Sequence, residues 1–193
     1  MWVSGLLTSP VFQQLPEDMR ASLISLDGLV PLPPGPPPPQ LVEAAAVEFT
    51  KLFRGIRHLY SQPPPYESLY REQSAIVFSE TSSDVIQEYR RFGFAPGDTL
   101  GNEPSDHIGF EIEFVHLLCK LEAGAWDSEN MDDVRRFQSA QKEFLGNHLL
   151  EWVPKFCDEV IARDSFGLFS ALARFTKSWL NLEREQLLAG AGE

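Results

Sequence analysis

Cysteine is scarce in this chain of 193 residues, and its two cysteines lie far apart. Cys119 and Cys157 fit neither the CxxC spacing of a redox pair nor the four-ligand spacing of a structural zinc site. The pattern therefore gives no support to a disulfide framework or a zinc fold. It predicts two free thiols, both buried.

Long hydrophobic runs and a basic leader are also missing. No segment approaches the roughly 20 apolar residues that span a bilayer. A secretory signal is a short apolar run preceded by basic residues, but the first basic side chain here is Arg20. The sequence therefore predicts no stable membrane insertion and a cytoplasmic location.

Basic side chains are outnumbered, with 16 Lys and Arg against 28 Asp and Glu and a net charge of −12. Such a charge repels the phosphate backbone of a nucleic acid within a Debye length of about 10 Å. Nucleic acid is therefore not an expected partner. A basic ligand would be attracted, although many acidic proteins have no basic partner, so the charge permits one without identifying it.

Sustained period-two alternation, the pattern of half-buried strands, is absent, whereas apolar residues recur every three or four positions. With 43% hydrophobic residues, a chain of this length buries an ample core. The sequence predicts an all-α fold, a single-domain helical bundle of about eight to ten helices over residues 1–193. The predicted helices cover residues 16–26, 40–55, 82–92, 105–121, 127–150, 152–161 and 165–188.

Proline, by contrast, is abundant, and residues 31–39 read PLPPGPPPP. Proline lacks an amide donor and its ring obstructs the preceding helical turn, so this tract predicts a stiff, extended connection between helices. The alternative is that the tract binds a polyproline-recognising domain. A long hinge also permits helix exchange between subunits, so both a monomer and a homodimer stay open.

The densest polar cluster, residues 103–111, precedes the most apolar predicted helix. Ser105 or Asp106 is the expected N-cap of that helix, with His107 exposed or hydrogen-bonded. The alternative is that this helix mouth faces a ligand. No metal site is expected, because His107 and Glu111 share a helical face but supply only one imidazole.

Prolines 63–65 are followed by Tyr66, Leu69 and Tyr70 at helical spacing. Rings held by stiff prolines suit a peptide groove, because they supply contact area at little entropic cost. Ordinary core packing is the alternative.

Catalytic signals are missing, since there is no GxSxG and the glycines of the 93–101 loop are not followed by Gly-Lys-Ser/Thr. The sequence therefore predicts neither an enzyme nor a bound cofactor.

Three blocks in the same order resemble the TorD/DmsD family of redox-enzyme maturation chaperones, which is related to NarJ. Residues 49–55 and 64–70 are similar to a family helix and its Pro-Pro-Trp-Glu-Ser-aliphatic-Tyr segment. Residues 103–108, continuing to Glu111 and Phe114, are similar to the most specific family signature. Residues 144–154 and 166–173 are similar to the C-terminal helices. Tyr66 departs from the usual Trp.

The resemblance implies an all-α, non-catalytic chaperone. Its partner would be the precursor of a molybdopterin oxidoreductase, bound through the twin-arginine signal peptide or as the apo form, and it would assist cofactor insertion before export. The alternative is a helical adaptor that binds the folded catalytic subunit without recognising the signal peptide. The residues implied for peptide binding are Tyr66, Leu69, Tyr70, Glu103, Asp106, His107 and Glu111. Asp106 would pair with a signal-peptide arginine. Because the implied residues lie on two segments, 66–70 and 103–111, these segments are expected to meet in space.

Overall fold

A computed structural model of the protein describes residues 7, 9–29, 37–54, 63–71, 80–95 and 103–190. Within these residues the regular elements are helical, apart from one isolated β-bridge, which confirms the predicted all-α class. Two π-helical turns, Thr50–Arg54 and Leu145–Leu149, follow α3 and α7 directly. The α-helices are α1 (Pro10–Gln14), α2 (Glu17–Leu29), α3 (Pro39–Phe49), α4 (Ser68–Arg71), α5 (Glu80–Arg91), α6 (Ile108–Asp127), α7 (Met131–Phe144), α8 (Leu150–Arg163) and α9 (Leu168–Gly190).

The predicted helix starts follow from capping chemistry. Glu17 and Asp18 lie in the first turn of α2, where carboxylates interact favourably with the helix dipole. Pro39 begins α3, since a first-turn residue needs no amide donor. Most of the proline tract at 31–39 lies outside the described residues, as does the 96–102 part of the loop before α6.

The helix predicted over 127–150 is present with different bounds, since α7 begins later, at Met131, and passes at Phe144 into the π-helical turn Leu145–Leu149. The chain turns at Glu129, which has a φ of 56°, and Asn130 then caps α7. The Asn130 side chain accepts a hydrogen bond from the Asp133 backbone amide at 3.3 Å and donates to its carboxylate at 2.8 Å. This paired cap starts a new helix because it satisfies amide groups that the first turn leaves unbonded.

The chain divides into two compact units. One comprises Met1–Pro64 with Pro154–Leu182, and the other comprises Pro65–Val153 with Glu183–Glu193. The boundary falls inside α8 and inside α9. The single domain over residues 1–193 stays a prediction.

The core of the first unit forms between α1, α2 and the start of α9. Phe12, Leu23, Leu26 and Ala171 are buried together. A second cluster consists of phenylalanine rings whose centroids lie 5.2–6.2 Å apart, namely Phe49, Phe53, Phe156 and Phe169. Burying one such side chain contributes about 1.5–3 kcal/mol, so these clusters hold the short helices together.

The core of the second unit is aromatic and joins α5, α6 and α7. The ring of Phe114 lies 4.9 Å from that of Tyr89 and 4.7 Å from that of Phe144. The Tyr89 hydroxyl donates to the carbonyl of Ser105 at 3.0 Å. The three helices thereby fix the loop that enters α6.

Pro154 lies inside α8, where it cannot donate to the carbonyl of Leu150. The Arg184 guanidinium donates to that carbonyl instead, at 3.4 Å. A side chain of α9 therefore satisfies a helix acceptor that proline leaves unbonded.

The two cysteines are free, but only Cys157 is buried. Burial, with the charge of Asp158, raises the pKa of its thiol to about 12. The prediction that both thiols are buried is wrong for Cys119, because it lies on the exposed side of α6.

Each helix among the described residues is too short or too polar to span a lipid bilayer.

Candidate functional site

The aromatic segment and the acidic helix mouth meet directly in the second unit. Tyr66 and His107 form an antiparallel β-bridge, which we call the 66–107 bridge. The Glu67 amide donates to the carbonyl of Asp106 at 3.0 Å, and the Ile108 amide donates to the carbonyl of Pro65 at 3.0 Å. Two backbone hydrogen bonds therefore join the segments that carry the predicted site residues.

Asp106 is completely buried and ties three segments together. One carboxylate oxygen accepts from the Ser68 amide at 2.9 Å, at the start of α4. The other accepts from the Ser82 hydroxyl at 2.7 Å, in the first turn of α5. Both oxygens are thus engaged inside the protein, and a peptide cannot contact them in this conformation.

The cap of α6 is His107, so the predicted cap at Ser105 or Asp106 is wrong. The Nδ1 atom of His107 accepts a hydrogen bond from the Gly109 amide at 3.0 Å. The carboxylate of Asp106 is drawn to α4 and α5, and the Ser105 hydroxyl donates to the Ser82 carbonyl. The capping role therefore passes to the next polar side chain.

A half-buried patch lies around the bridge, formed by Tyr66, Leu69, Glu103 and His107. The rings of Tyr66 and His107 meet edge to face with centroids 5.4 Å apart. The Tyr66 hydroxyl donates to the Glu103 carboxylate. We call these four residues the bridge patch. It combines two aromatic rings and one leucine side chain with one carboxylate at the surface.

Tyr70, which is half-buried, and Glu111 both contact Trp152. The Tyr70 ring is 5.4 Å from the ring of Trp152, which is fully buried. Glu111 is also fully buried and accepts from the indole N–H of Trp152 at 3.1 Å. Its other oxygen, Oε1, has no hydrogen-bond partner among the residues described. Like Asp106, Glu111 is enclosed and not placed for direct peptide contact.

Burial raises the pKa of Glu111 well above its ordinary value, and the nearby negative charge of Glu67 adds to the effect. An acid whose pKa is higher in the folded state stabilises the fold fully only below its pKa in the unfolded chain. That stabilisation is lost as the pH rises through the folded-state pKa.

We therefore expect Glu111→Gln to gain stability relative to the wild type as the pH rises from about 5 to about 8. Gln keeps an acceptor for Trp152 but cannot ionise. Urea unfolding at both pH values measures the difference. Glu113→Gln replaces an exposed acid of the same helix as the matched control. A stability difference between Glu111→Gln and the wild type that does not change with pH would contradict the assignment.

Glu67 is a further acid of this site, and the set of predicted peptide-binding residues does not include it. It is completely buried, and its carboxylate contacts His148 Nδ1 at 2.9 Å and Arg71 Nη1 at 2.6 Å. Arg71 also donates to the carbonyl of Asn147 at 2.9 Å. His148 lies 81 positions from Glu67, so no local sequence signal could have paired them.

An open pocket of about 440 Å³ adjoins this ion pair, and we call it the Arg71 pocket. Three carboxylates and one guanidinium give it an excess of negative charge. Its lining residues are Arg71, Asp84, Gln87, Glu88, Gly146, Asn147, His148 and Glu151. In the part of the chain that the structure describes, no group of three or more His, Cys, Asp or Glu side chains could hold a metal ion.

Comparison with known proteins gives one family. The family model described as nitrate reductase delta subunit matches residues 13–158. The chaperone protein TorD of Aliivibrio fischeri is 29% identical over 126 residues, which cover 65% of this chain and 56% of that protein. The chaperone protein TorD of Photobacterium profundum is 29% identical over 126 residues, which cover 64% of this chain and 56% of that protein. The chain thus spans about half the length of the curated relatives it matches.

Proposed function

Because the chain belongs to the nitrate reductase delta subunit family, we propose that it is a cytoplasmic, non-catalytic chaperone for a molybdopterin oxidoreductase precursor. It binds the twin-arginine signal peptide or the apo form of that precursor and assists cofactor insertion before export. The resemblance to TorD agrees with the curated relatives, which are named chaperones. The match covers only 56% of each relative, so the chaperone activity of the whole relatives is a proposal for this chain.

The observation that carries the proposal is the 66–107 bridge. It places two rings and an acid, Tyr66, His107 and Glu103, at one surface of the second unit. Rigid rings offer contact area to the apolar stretch of a signal peptide at little entropic cost. The Glu103 carboxylate offers a charge-assisted acceptor to a basic residue.

The seven residues implied by the resemblance divide into two roles in this proposal. The bridge patch contacts the peptide, whereas Asp106 and Glu111 act as positioning residues because they are fully buried. Tyr70, itself a residue of α4, packs against Trp152 and so anchors this helix to α8. A peptide arginine therefore pairs with an acid at the surface rather than with Asp106.

The test uses a synthetic peptide that carries a twin-arginine pair followed by an apolar stretch. We expect the double variant His107→Asn with Leu69→Ala to raise its Kd about tenfold or more, measured by calorimetry. Asn is a good N-cap, so α6 stays capped while the imidazole is lost. A lost ring contact of about 1 kcal/mol and a truncated apolar side chain of about 1 kcal/mol together exceed the 1.4 kcal/mol that equals tenfold.

The matched control is His116→Asn with Leu172→Ala, which makes the same changes at two exposed positions outside the bridge patch. Its Kd should equal that of the wild type. If the wild-type chain ignores the peptide but retains the folded catalytic subunit, the protein is instead a helical adaptor. Equal losses in both double variants would also count against the bridge patch.

A further inference from the structure

We propose that the Arg71 pocket is a guanidinium subsite that receives an arginine of the client's signal peptide. The inference rests on the proposed function and deepens it, because it assigns one arginine of the pair to a place separate from the bridge patch. Leu69 of the patch and Arg71 of the pocket lie two residues apart in α4. The bridge patch and the pocket therefore adjoin the same helical turn on different faces, because positions i and i+2 of a helix do not face one another, and a peptide that occupies both must cross this turn.

The Arg71 pocket contains carboxylates that accept no hydrogen bond from the residues described. Asp84 and Glu151 are exposed on α5 and α8, and neither carboxylate accepts a hydrogen bond from any residue in the described ranges. Glu88 is partly neutralised by Arg91 at 2.9 Å. A guanidinium carries five N–H donors and no acceptor, so it matches a lining of this kind.

The second observation comes from His148, which lines the pocket although it is only 6% exposed. Its Nδ1 faces the carboxylate of Glu67, which can only accept a hydrogen bond, so Nδ1 carries the proton of the neutral ring. Nε2 then presents a lone pair, and it has no partner among the residues that the structure describes. A nearly buried acceptor is thus left open to a donor in the pocket.

Arg71 itself shows that the lining of the pocket accommodates a guanidinium group. It is held by Glu67 and by the carbonyl of Asn147. Burial acts to lower the pKa of Arg71, but the hydrogen bond and charge of Glu67, with Glu151 and Asp84, raise it overall. Glu67 is already matched by Arg71, so the remaining carboxylates are available for a second cation.

The nature of the occupant follows from the spacing of these acids. A divalent metal needs several carboxylate or imidazole ligands within about 2–2.6 Å of one point. The described part of the chain provides no such group. A planar cation with several donors can instead span acceptors on three elements, α5, α8 and the π-helical turn Leu145–Leu149.

The test measures the Kd of the twin-arginine peptide at low salt for Asp84→Asn with Glu151→Gln. The expected rise is about five- to tenfold, since each lost surface ion pair contributes at most about 1 kcal/mol. The salt dependence of binding should weaken as well. The matched control, Glu113→Gln with Asp127→Asn, changes net charge equally outside the pocket and should bind like the wild type.

A second arm separates this inference from the proposed function. N-acetyl-arginine amide is titrated into the full-length wild-type chain, and NMR follows the His148 ring nitrogens. Nε2 should shift in the wild type and far less in Asp84→Asn with Glu151→Gln. Peptide binding that the pocket variant leaves unchanged would overturn the subsite while leaving the chaperone function standing. A wild type that binds arginine amide but no peptide would overturn the function and support the subsite.

Discussion

Replacing Glu67 with alanine is expected to lower the free energy of unfolding by about 3 kcal/mol, because it breaks a buried charge network. The Glu67 carboxylate is completely enclosed and contacts both Arg71 and His148. Its loss leaves the partly exposed guanidinium of Arg71 and the buried imidazole of His148 without this acceptor. The Arg71 side chain is 40% exposed and can rehydrate, which places the effect at the lower end of the range for buried pairs.

Urea unfolding followed by circular dichroism measures this effect, with Glu67→Gln as the graded comparison. Gln keeps the shape and one acceptor oxygen but removes the charge, so it should be less destabilising than alanine. Glu151→Ala, which truncates an exposed acid of α8, should change the free energy of unfolding by no more than about 0.5 kcal/mol. A Glu67→Ala variant as stable as Glu151→Ala would show that the buried network contributes nothing.

Asp106→Ala should lower the free energy of unfolding by about 3 kcal/mol as well, through a different mechanism. The carboxylate accepts from the Ser68 amide and the Ser82 hydroxyl, and hydrogen bonds to a charged group contribute about 1.5–3 kcal/mol each. Removing the acceptor leaves two donors unsatisfied in an enclosed site. The start of α4 and the first turn of α5 both lose their connection to the bridge.

A double-mutant cycle with Ser82→Ala isolates one of the two hydrogen bonds. Ser82→Ala alone should destabilise by about 1–2 kcal/mol, and by clearly less in the Asp106→Ala background. Strict additivity of the two free-energy changes would contradict a direct bond between the side chains. Any loss of peptide binding in Asp106→Ala would then reflect a displaced Tyr66, since the carboxylate does not reach the surface.

The helices were predictable because each is encoded locally. Apolar spacing and the residues at helix starts placed the first residues of α2, α3, α6, α8 and α9 within three positions of those observed. The break before α7 was predicted too early, between residues 121 and 127, because no glycine or proline marks Glu129 and the observed cap depends on Asn130. The two π-helical turns have no local signal of this kind.

The candidate site was only partly predictable. The resemblance correctly placed segments 66–70 and 103–111 beside each other, but it could not say which side chains face outward. The partners of Asp106 lie 38 and 24 positions away, at Ser68 and Ser82. Whether a carboxylate is buried depends on such distant donors, which the local sequence does not show. Asp106 was therefore predicted to contact a peptide, whereas in the fold it joins three segments of the protein itself.

If the proposed function holds, the prolines before Tyr66 limit how a client peptide is bound. The 66–107 bridge pairs one residue with one residue, and positions 63–65 carry no amide hydrogen to extend it. This edge therefore cannot lengthen into a ladder that takes up an incoming chain as an added strand. Under the proposed function, a signal peptide docked here would be recognised through its side chains, so peptides that share charge and hydrophobicity but differ in backbone conformation would also bind.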